Sequence, residues 1–462
     1  MKKDMTSGVV WKQILLFALP VMAANILQQL YITVDGIIVG KYIGEAALSS
    51  VGVSQPIAMF WLSVAMGISI GAGVVISQFF GAGRRSELPL AIDTALLLLG
   101  ALGLICTGLA LLTSGFFLRT VLGVPEHLLS DALLYYRLFC CSLFFCFVYN
   151  AVSFALRGVG DSNSTMYFLI ITTVMNIGLD LLFVSVFHWG IAGAAVATVI
   201  AQIVCCVVSY IYLRRYFSPA EGRHFDSPLC RLMLKLGIPA AAQQCIVALG
   251  HIAMQRLVNG FGQTSIAAYT AGNRLDSFVF VPIFGFSTAL SNFTGQNMGA
   301  GKLDRVKRGL VSTLIMALIT AVIICITLYT TAPGIVRLFS LEGESLKKGI
   351  EQIRFISTFF CIFAVYMTFS GVLQGSGDVA FQSAASFSVL FTRVLLGYVG
   401  VAVGILGYSA AWCTTPAGWI LGSLMTVLRF FSGKWKTKAV TKKTDVVPSA
   451  ESTMHNDGDA LN

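Results

Sequence analysis

The chain has 462 residues, of which 56% are hydrophobic and only 11% are charged, and its mean hydropathy is +0.81. Soluble globular chains carry about 25% charged residues, so this composition excludes an ordinary water-soluble protein. The net charge is +10, but no polar segment combines clustered basic residues with interleaved aromatic ones, as a nucleic-acid-binding surface would. Nucleic-acid binding therefore does not explain the positive net charge.

Apolar windows recur along most of the chain, and each is long enough to cross a hydrocarbon core of about 30 Å as a helix. Short polar or Gly/Pro-rich turns separate them. The pattern predicts an all-α integral membrane protein with twelve transmembrane helices. Their expected ranges are 13–38, 54–79, 88–112, 131–155, 163–186, 190–213, 231–256, 265–293, 309–332, 350–373, 379–402 and 405–430.

These spans divide the chain into two lobes. We expect a cytoplasmic N-terminus (1–12), an N-lobe (13–215), a cytoplasmic linker (216–230), a C-lobe (231–431) and a disordered cytoplasmic tail (432–462). With both termini in the cytoplasm, most of the 31 Lys and Arg residues fall in cytoplasmic segments, as the positive-inside rule requires. The sequence thus predicts a multi-pass protein of the plasma (inner) membrane whose basic residues face anionic lipid headgroups.

The second half of the chain repeats the first. The segment "LRGVGD" beginning at Leu156 returns as "LQGSGD" at Leu373, and two Gly-rich helices each end in "GAG". Pro20 and Pro239 occupy matched positions, where they would kink the first and seventh helices. Because each half has an even number of helices, the two repeats insert in the same orientation. Such repeats are typical of transporters that enclose a central site.

Carboxylates inside predicted helices are costly in a membrane and are therefore candidates for a functional site. Asp35 shares one face of the first helix with Gln28 and Tyr31, and Asp180 shares one face of the fifth helix with Asn176. Two polar stripes that each end in a carboxylate predict one polar cavity in the first half. Neighbouring carboxyl groups in a desolvated cavity readily hold a shared proton, and the same oxygens suit a hard monovalent cation.

Plainer roles for these residues are also open. Asp35 lies close in sequence to Lys41 and would pair with it near a helix end, and Asp180 would cap a helix. The repeat favours a functional reading, because the second half carries no acid at the equivalent positions and any coupling chemistry would be asymmetric. The repeat pairs Asp35 with Met254, Asn176 with Arg393 and Asp180 with Gly397.

Candidate substrate-binding residues of the second half are Gln243, Gln244, Met254 and Arg393. Together with aromatic side chains, the first three would line a pocket for apolar cations. Arg393 would neutralise charge or order the second half, or it would snorkel from a helix end. Arg274 and Asp276 do not face each other along one helix, so they remain open to pairing across helices.

No catalytic or cofactor motif is present. The sequence contains no HExxH, no GxxxxGK[ST] and no Ser/His/Asp grouping, so neither an enzyme nor a bound cofactor is expected. A membrane transferase would need a cluster of His, Asp and Glu at one membrane face, and a channel would need a pore loop. Neither feature is visible, and twelve helices can function as a monomer.

Over about residues 10 to 430 the chain resembles the multidrug and toxic compound extrusion (MATE) transporters. The resemblance rests on the "LP…D" first helix, the "Q-x-x-GAG" turns after helices two and eight, the "LRGVGD" turn and the pair Asn176 and Asp180. It implies two lobes around a V-shaped cavity, and export of lipophilic, often cationic compounds in exchange for H⁺ or Na⁺. A flippase or exporter of lipid-linked or other amphiphilic metabolites is the alternative.

The chain looks most like the prokaryotic branch in which the coupling ion binds in the N-lobe. The resemblance then implies ion coupling at Asp35, Asp180 and Asn176, with a Na⁺ site, if there is one, that adds Thr198 to these three. Ser153 stands where a second Asn is expected, and the adjacent Tyr136 leaves the register of Tyr135 open. The implied lining of the N-lobe cavity is Gln28, Tyr31, Tyr135, Asn150, Ser153 and Thr198.

Overall fold

The computed structural model describes residues 4–338 and 342–441, and all regular structure in these ranges is helical. The first half forms α1 (Val10–Tyr42), α2 (Glu45–Gly81), α3 (Leu88–Phe116), α4 (Glu126–Gly158), α5 (Ser162–Asp180) and α6 (Gly190–Tyr216). The second half forms α7 (Ser227–Asn259), α8 (Gln263–Val279), α9 (Val281–Gly299), α10 (Leu303–Leu338), α11 (Gly343–Thr358), α12 (Phe360–Ser376), α13 (Val379–Ala402), α14 (Ala410–Cys413) and α15 (Thr415–Phe431).

The predicted all-helical membrane fold is confirmed. In the described ranges ten helices are long and apolar enough to cross a membrane, or eleven if the bent pair α11 and α12 is one span. The remaining predicted span, 405–430, corresponds to the short helices α14 and α15. The bounds of the first six helices agree with the first six predicted spans, except that α2 begins earlier, at Glu45.

Three spans of the second half contain an interruption, where the sequence pattern predicted continuous helices. In the span 265–293 only Phe280, between α8 and α9, leaves regular helix, and Gln263–Gly299 remains one membrane span, whereas the span 350–373 bends by 50° between α11 and α12. The third break, between α14 and α15, interrupts the span 405–430. Prolines occupy the first turns of α9 and α15, and a proline there cannot donate the backbone bond that would join the two helices. No proline accompanies the bend before α12.

The two lobes exchange parts of their first helices. Ile14 and Phe17, in the first half of α1, are fully buried in the hydrophobic core of the second repeat, whereas Ile38, near the end of α1, packs against the first repeat. Met233, in the first half of α7, is correspondingly buried in the core of the first repeat. Each lobe is therefore completed by half a helix from the other repeat.

Two glycines bring the lobes into backbone contact near the ends of α2 and α9. A Cβ atom on Gly81 would lie 1.9 Å from the carbonyl oxygen of Gln296, and one on Gly299 would lie 1.9 Å from that of Gln78. No side chain fits at either position, so glycine is required for this approach. We call this contact region, from which α2 and α9 run towards the middle of the bundle, the closed end.

The repeated motifs supply the hydrogen bonds of the closed end. Gln296 Nε2 donates to the carbonyl of Gly158 (2.9 Å), and Gln78 Nε2 donates to the carbonyl of Gly375 (3.0 Å). Gly158 belongs to "LRGVGD" and Gly375 belongs to "LQGSGD". Each repeat thus presents a glutamine to the motif of the other repeat, which gives this contact an approximate two-fold symmetry.

Both described chain ends fold against the same glutamines. The backbone N–H of Met5 donates to Gln296 Oε1 (2.9 Å), and that of Val440 donates to Gln78 Oε1 (2.6 Å). Trp435 lies in a 3₁₀ turn (Lys434–Lys438) and is fully buried. The prediction of a disordered tail from residue 432 is therefore wrong as far as Thr441, because backbone donors of this segment satisfy Gln78. The rest of the predicted tail lies outside the described residues.

Trp435→Ala should destabilise the protein. The indole Nε1 donates to the carbonyl of Phe430 (2.9 Å), and the two rings stack with centroids 5.2 Å apart. Truncation of a buried Trp costs about 3–5 kcal/mol in protein cores, so we expect the unfolding temperature in detergent to fall by several degrees. Lys434→Ala, at the exposed neighbouring position, is the matched control and should leave it unchanged. Equal unfolding temperatures for both variants would contradict this packing role.

Candidate functional site: an acid pair and a central cavity

An acid pair lies inside the first repeat, between α1 and α5. Asp180 and Asn176 have no exposed surface, and the Asp35 and Asp180 carboxyl groups lie within hydrogen-bonding range of each other. While both groups are ionised, neither carries a proton, so no hydrogen bond joins them. Five buried polar atoms here have no partner in the described chain: Asp35 Oδ1, both carboxylate oxygens of Asp180, and Oδ1 and Nδ2 of Asn176.

The helix geometry changes at Asp180. The α-helical hydrogen bonding of α5 ends at this residue, and a π-helical turn follows (Leu181–Val186). Such wider turns are rare and frequently mark functional sites. Neither carboxylate oxygen of Asp180 accepts a hydrogen bond from a backbone N–H of the described chain. The interpretation of Asp180 as a helix cap is therefore wrong.

Two tyrosines and a threonine surround the acid pair. The hydroxyl oxygens of Tyr31 and Thr198 lie 3.4 Å apart. Tyr135 packs against the same small hydrophobic cluster as Val34 and Ile177, which are the sequence neighbours of Asp35 and Asn176. Tyr136 has its own partner, because Trp61 Nε1 donates to its hydroxyl (2.9 Å) in the core. The register left open by the sequence is thus decided in favour of Tyr135.

The proposed Asp35–Lys41 pair does not form. Lys41 is exposed and its Nζ lies over the Tyr42 ring, 5.6 Å from the centroid, and no ion pair joins it to Asp35 in the described residues. Neither acid of the pair therefore has a cationic side-chain partner among the described residues.

Three predicted lining residues have other neighbours in the structure. Asn150 Nδ2 donates to the carbonyl of Cys146 on its own helix (2.8 Å), and Ser153 is buried beneath Arg157, whose Nη2 donates to its hydroxyl (2.7 Å). Gln28 lines the space between the lobes. The α1 face that bears Asp35 therefore changes neighbours along its length: at Gln28 it faces the interlobe space, and further on it meets α5.

A cavity of about 700 Å³ separates the lobes. Its ionisable lining residues are Arg157, His251, Asp276 and Arg393. One wall is aromatic: Phe363 lies 4.7 Å from Phe280 and 4.9 Å from Trp419, measured between ring centroids. Its neutral polar lining includes Asn25, Gln28, Ser77, Gln243, Gln244, Ser287, Ser291, Asn292, Gln374 and Gln382. The cavity can hold a small organic molecule with an apolar, planar part.

Two of the candidate residues from the second half, Gln243 and Gln244, line this cavity with their side-chain amides. Ser383 Oγ donates to Gln243 Oε1 (3.1 Å), and Gln244 Nε2 lies 3.4 Å from Met66 Sδ. The expectation that Met254 lines the cavity is wrong, because its side chain is fully buried in the hydrophobic core and is absent from the cavity wall.

Arg393 faces the cavity rather than snorkelling to a membrane surface. Its Nη2 donates to the hydroxyl of Tyr269 (3.3 Å) and to the carbonyl of Ala411 (3.4 Å), and its Nε is buried without a partner. Asp276 lines the same cavity, but no ion pair joins the two among the described residues. Arg274 is exposed and does not pair with Asp276.

The repeat symmetry extends to the acid pair. A Cβ atom on Gly397 would lie 3.3 Å from Met254 Cε, so the counterparts of Asp180 and Asp35 also touch each other in the second repeat. There the contact consists of a methionine against a glycine and carries no charge. The same packing position is thus polar in the first repeat and apolar in the second. The chemical difference between the repeats lies in two residue pairs, Asp35 with Met254 and Asp180 with Gly397.

The acid pair offers a small set of oxygen ligands. The described chain contains no group of three or more His, Cys, Asp or Glu residues placed to hold a metal ion. The buried oxygens of Asp35, Asn176 and Asp180 lack donors, and Thr198 lies beside Tyr31. Such a set fits a proton shared between two carboxyl groups, or a monovalent cation bound by neutral and anionic oxygens.

Comparison with known proteins identifies the family. The MatE family model matches residues 20–182 and again residues 239–399, which is the internal repeat found in the sequence. This chain belongs to the MATE family. The probable multidrug resistance protein YoeA of Bacillus subtilis is 30% identical over 447 residues, which cover 94% of this chain and 96% of that protein.

Two further similarities place this MATE chain among its relatives. A solved outward-facing multidrug resistance MATE family transporter shares its fold with a TM-score of 0.87, at 22% identity, over 94% of this chain and 99% of the other. The FAD transporter of Shewanella oneidensis is 27% identical over 320 residues, which cover 66% of this chain and 69% of that protein. The resemblance read from the sequence motifs is thus confirmed, and the protein is a multi-pass membrane protein.

Proposed function

We propose that this MATE protein is a secondary active antiporter that exports lipophilic, often cationic organic compounds in exchange for H⁺ or Na⁺. One observation carries the proposal: a buried acid pair without a cationic partner lies beside, but not in, an interlobe cavity of about 700 Å³. Two separate sites are what exchange of an ion for an organic compound requires. The family membership and the relative named a multidrug resistance protein support export of drugs.

Helix α1 is the proposed connection between the two sites. Asn25 and Gln28 of α1 line the central cavity, while Asp35 on the same helix belongs to the acid pair. Pro20 lies inside α1 and removes one helical hydrogen bond, which favours bending there. An ion that draws Asp35 and Asp180 together shifts α1 and changes the cavity wall. The changed wall binds the organic compound more weakly. By thermodynamic linkage, the organic compound then weakens ion binding by the same factor.

The proposed location is the plasma membrane, and the proposed orientation puts both termini in the cytoplasm. Lys302, Arg305 and Lys307 lie together beside Thr6 at the closed end, and the positive-inside rule places such clusters in the cytoplasm. The closed end would then face the cytoplasm. We propose a monomer without a bound cofactor as the functional unit, since one chain supplies both the acid pair and the cavity.

Export of an amphiphilic metabolite is the second candidate. Arg157 and Arg393 both line the cavity, so the basic side chains expected of such an exporter are present in each lobe. One relative is named an FAD transporter, and its cargo combines aromatic rings with anionic phosphates. This candidate shares the ion coupling of the first and differs only in the cargo.

Proteoliposomes test the coupling directly. Ethidium efflux should follow an imposed proton gradient or an imposed sodium gradient, applied separately, and the gradient that drives it identifies the ion. Efflux that neither gradient accelerates would contradict antiport. Ethidium that is not moved at all, while a flavin nucleotide is, would favour the metabolite exporter.

A further inference from the structure

We infer that the central cavity contains a binding subsite for an anionic group at Arg157, so that its preferred cargo carries a carboxylate or phosphate on an aromatic body. The inference rests on the proposed function, because it names the cargo of the cavity to which that proposal assigns transport. The cargo would then carry an acidic group in addition to its lipophilic and cationic parts.

Arg157 has an incomplete set of partners. Its guanidinium lies over the Phe154 ring, 4.5 Å from the centroid, and its Nη2 donates only to the neutral hydroxyl of Ser153. Its Nε is buried without a partner, and no carboxylate of the described chain forms an ion pair with it. The guanidinium therefore faces the cavity without an anionic partner from the described chain, and an anionic ligand would supply paired, charge-assisted hydrogen bonds.

The internal repeat shows that this position of the fold accepts an amide. The counterpart of Arg157 in "LQGSGD" is Gln374, which lines the same cavity. Since the equivalent turn of the second repeat forms with a neutral side chain, packing alone does not account for the positive charge of Arg157.

The charge balance of the cavity points the same way. Two arginines face a single carboxylate, Asp276, which pairs with neither of them in the described chain. A purely cationic cargo would meet an excess of positive charge. An aromatic compound with an acidic group would stack on the wall formed by Phe280, Phe363 and Trp419, and would leave Asp276 free for any cationic group that it also carries.

Rhodamine B and its ethyl ester provide a matched pair of probes. They share a cationic aromatic ring system, but only the acid carries a carboxylate. Fluorescence anisotropy with the purified full-length protein in lipid nanodiscs should give a dissociation constant for the acid at least about tenfold below that of the ester, as expected for one charge-assisted interaction. Equal dissociation constants, or no binding of either dye, would overturn the inference.

Substitutions assign the preference to Arg157. Arg157→Gln, which copies the residue of the other repeat, should weaken binding of the acid about tenfold and leave the ester unchanged, so that ester binding reports an intact cavity. Arg157→Lys should retain most of the preference, and Arg256→Gln, at an exposed position of α7, should retain all of it. A preference for the acid that survives in Arg157→Gln overturns the inference.

The outcome for the transport proposal is separate. If both dyes bind equally and a proton or sodium gradient still drives efflux, the anionic subsite is wrong and antiport stands. If the acid binds more tightly but no gradient moves either dye, the subsite stands as a binding site and antiport is wrong.

Discussion

Asp180→Asn is expected to abolish gradient-driven efflux while the protein stays folded. The amide has nearly the same shape as the carboxyl group, so the packing of α5 against α1 should persist, but it can neither release a proton nor offer a negative charge to a cation. Coupling between two ligands commonly changes affinity about 5- to 150-fold. We expect the effect of the coupling ion on dye affinity to disappear, and efflux in proteoliposomes to fall to the rate without a gradient. Asp35→Asn should behave in the same way.

The matched control for this loss is Asp131→Asn. Asp131 is an exposed acid on α4, and its replacement changes the net charge by the same amount without touching the acid pair. It should keep coupled efflux. Coupled efflux that survives in both Asp35→Asn and Asp180→Asn would instead assign the two acids a structural role.

Composition and periodicity predicted the features that follow from placing apolar helices in a membrane. The all-helical class and the two parallel repeats follow from apolar windows and from matched motifs such as "LRGVGD" and "LQGSGD". Helical spacing also grouped Asn176 with Asp180 on one face of α5. These inferences use only the helix period and the cost of a charge in a membrane, which do not depend on how the helices are arranged.

Contacts between distant helices could not be predicted in this way. Met254 fits the pattern of a cavity residue, but it packs against Gly397 in a core because the second repeat has no acid pair to keep that position polar. The burial of Ile14 in the opposite lobe depends on how α1 crosses between repeats. The order of residues 434–441 depends on Gln78, which is far away in sequence.

The most informative signal in the sequence was a mismatch between the repeats. "LRGVGD" and "LQGSGD" differ by arginine against glutamine at Arg157, and that difference places a charge in the central cavity. The acids differ between the repeats in the same way, with Met254 opposite Asp35 and Gly397 opposite Asp180. Positions at which two packed copies disagree are free of the shared demands of the fold, and are therefore the first places to search for function.

Gly299→Ala should prevent the closed end from forming. The added methyl group would lie 1.9 Å from the carbonyl oxygen of Gln78, and neither backbone can give way without separating α2 from α9. Overpacking of this kind costs about 1–3 kcal/mol, which is enough to shift a two-state equilibrium markedly. We expect the variant to accumulate with this end open and to lose coupled efflux. Gly81→Ala, which meets Gln296 at the same distance, should have the same effect.

Accessibility measures that opening. A cysteine introduced at Ser291, in the cavity beside the contact between the lobes, should react faster with a membrane-impermeant maleimide added from the closed end in the Gly299→Ala background than in the parent protein. Mass spectrometry locates the label and so separates it from the native cysteines. Gly108→Ala is the control, because a Cβ atom there meets nothing within 4 Å, and it should change neither labelling nor efflux. Unchanged labelling and efflux in Gly299→Ala would mean that transport does not need the backbone contact at the closed end.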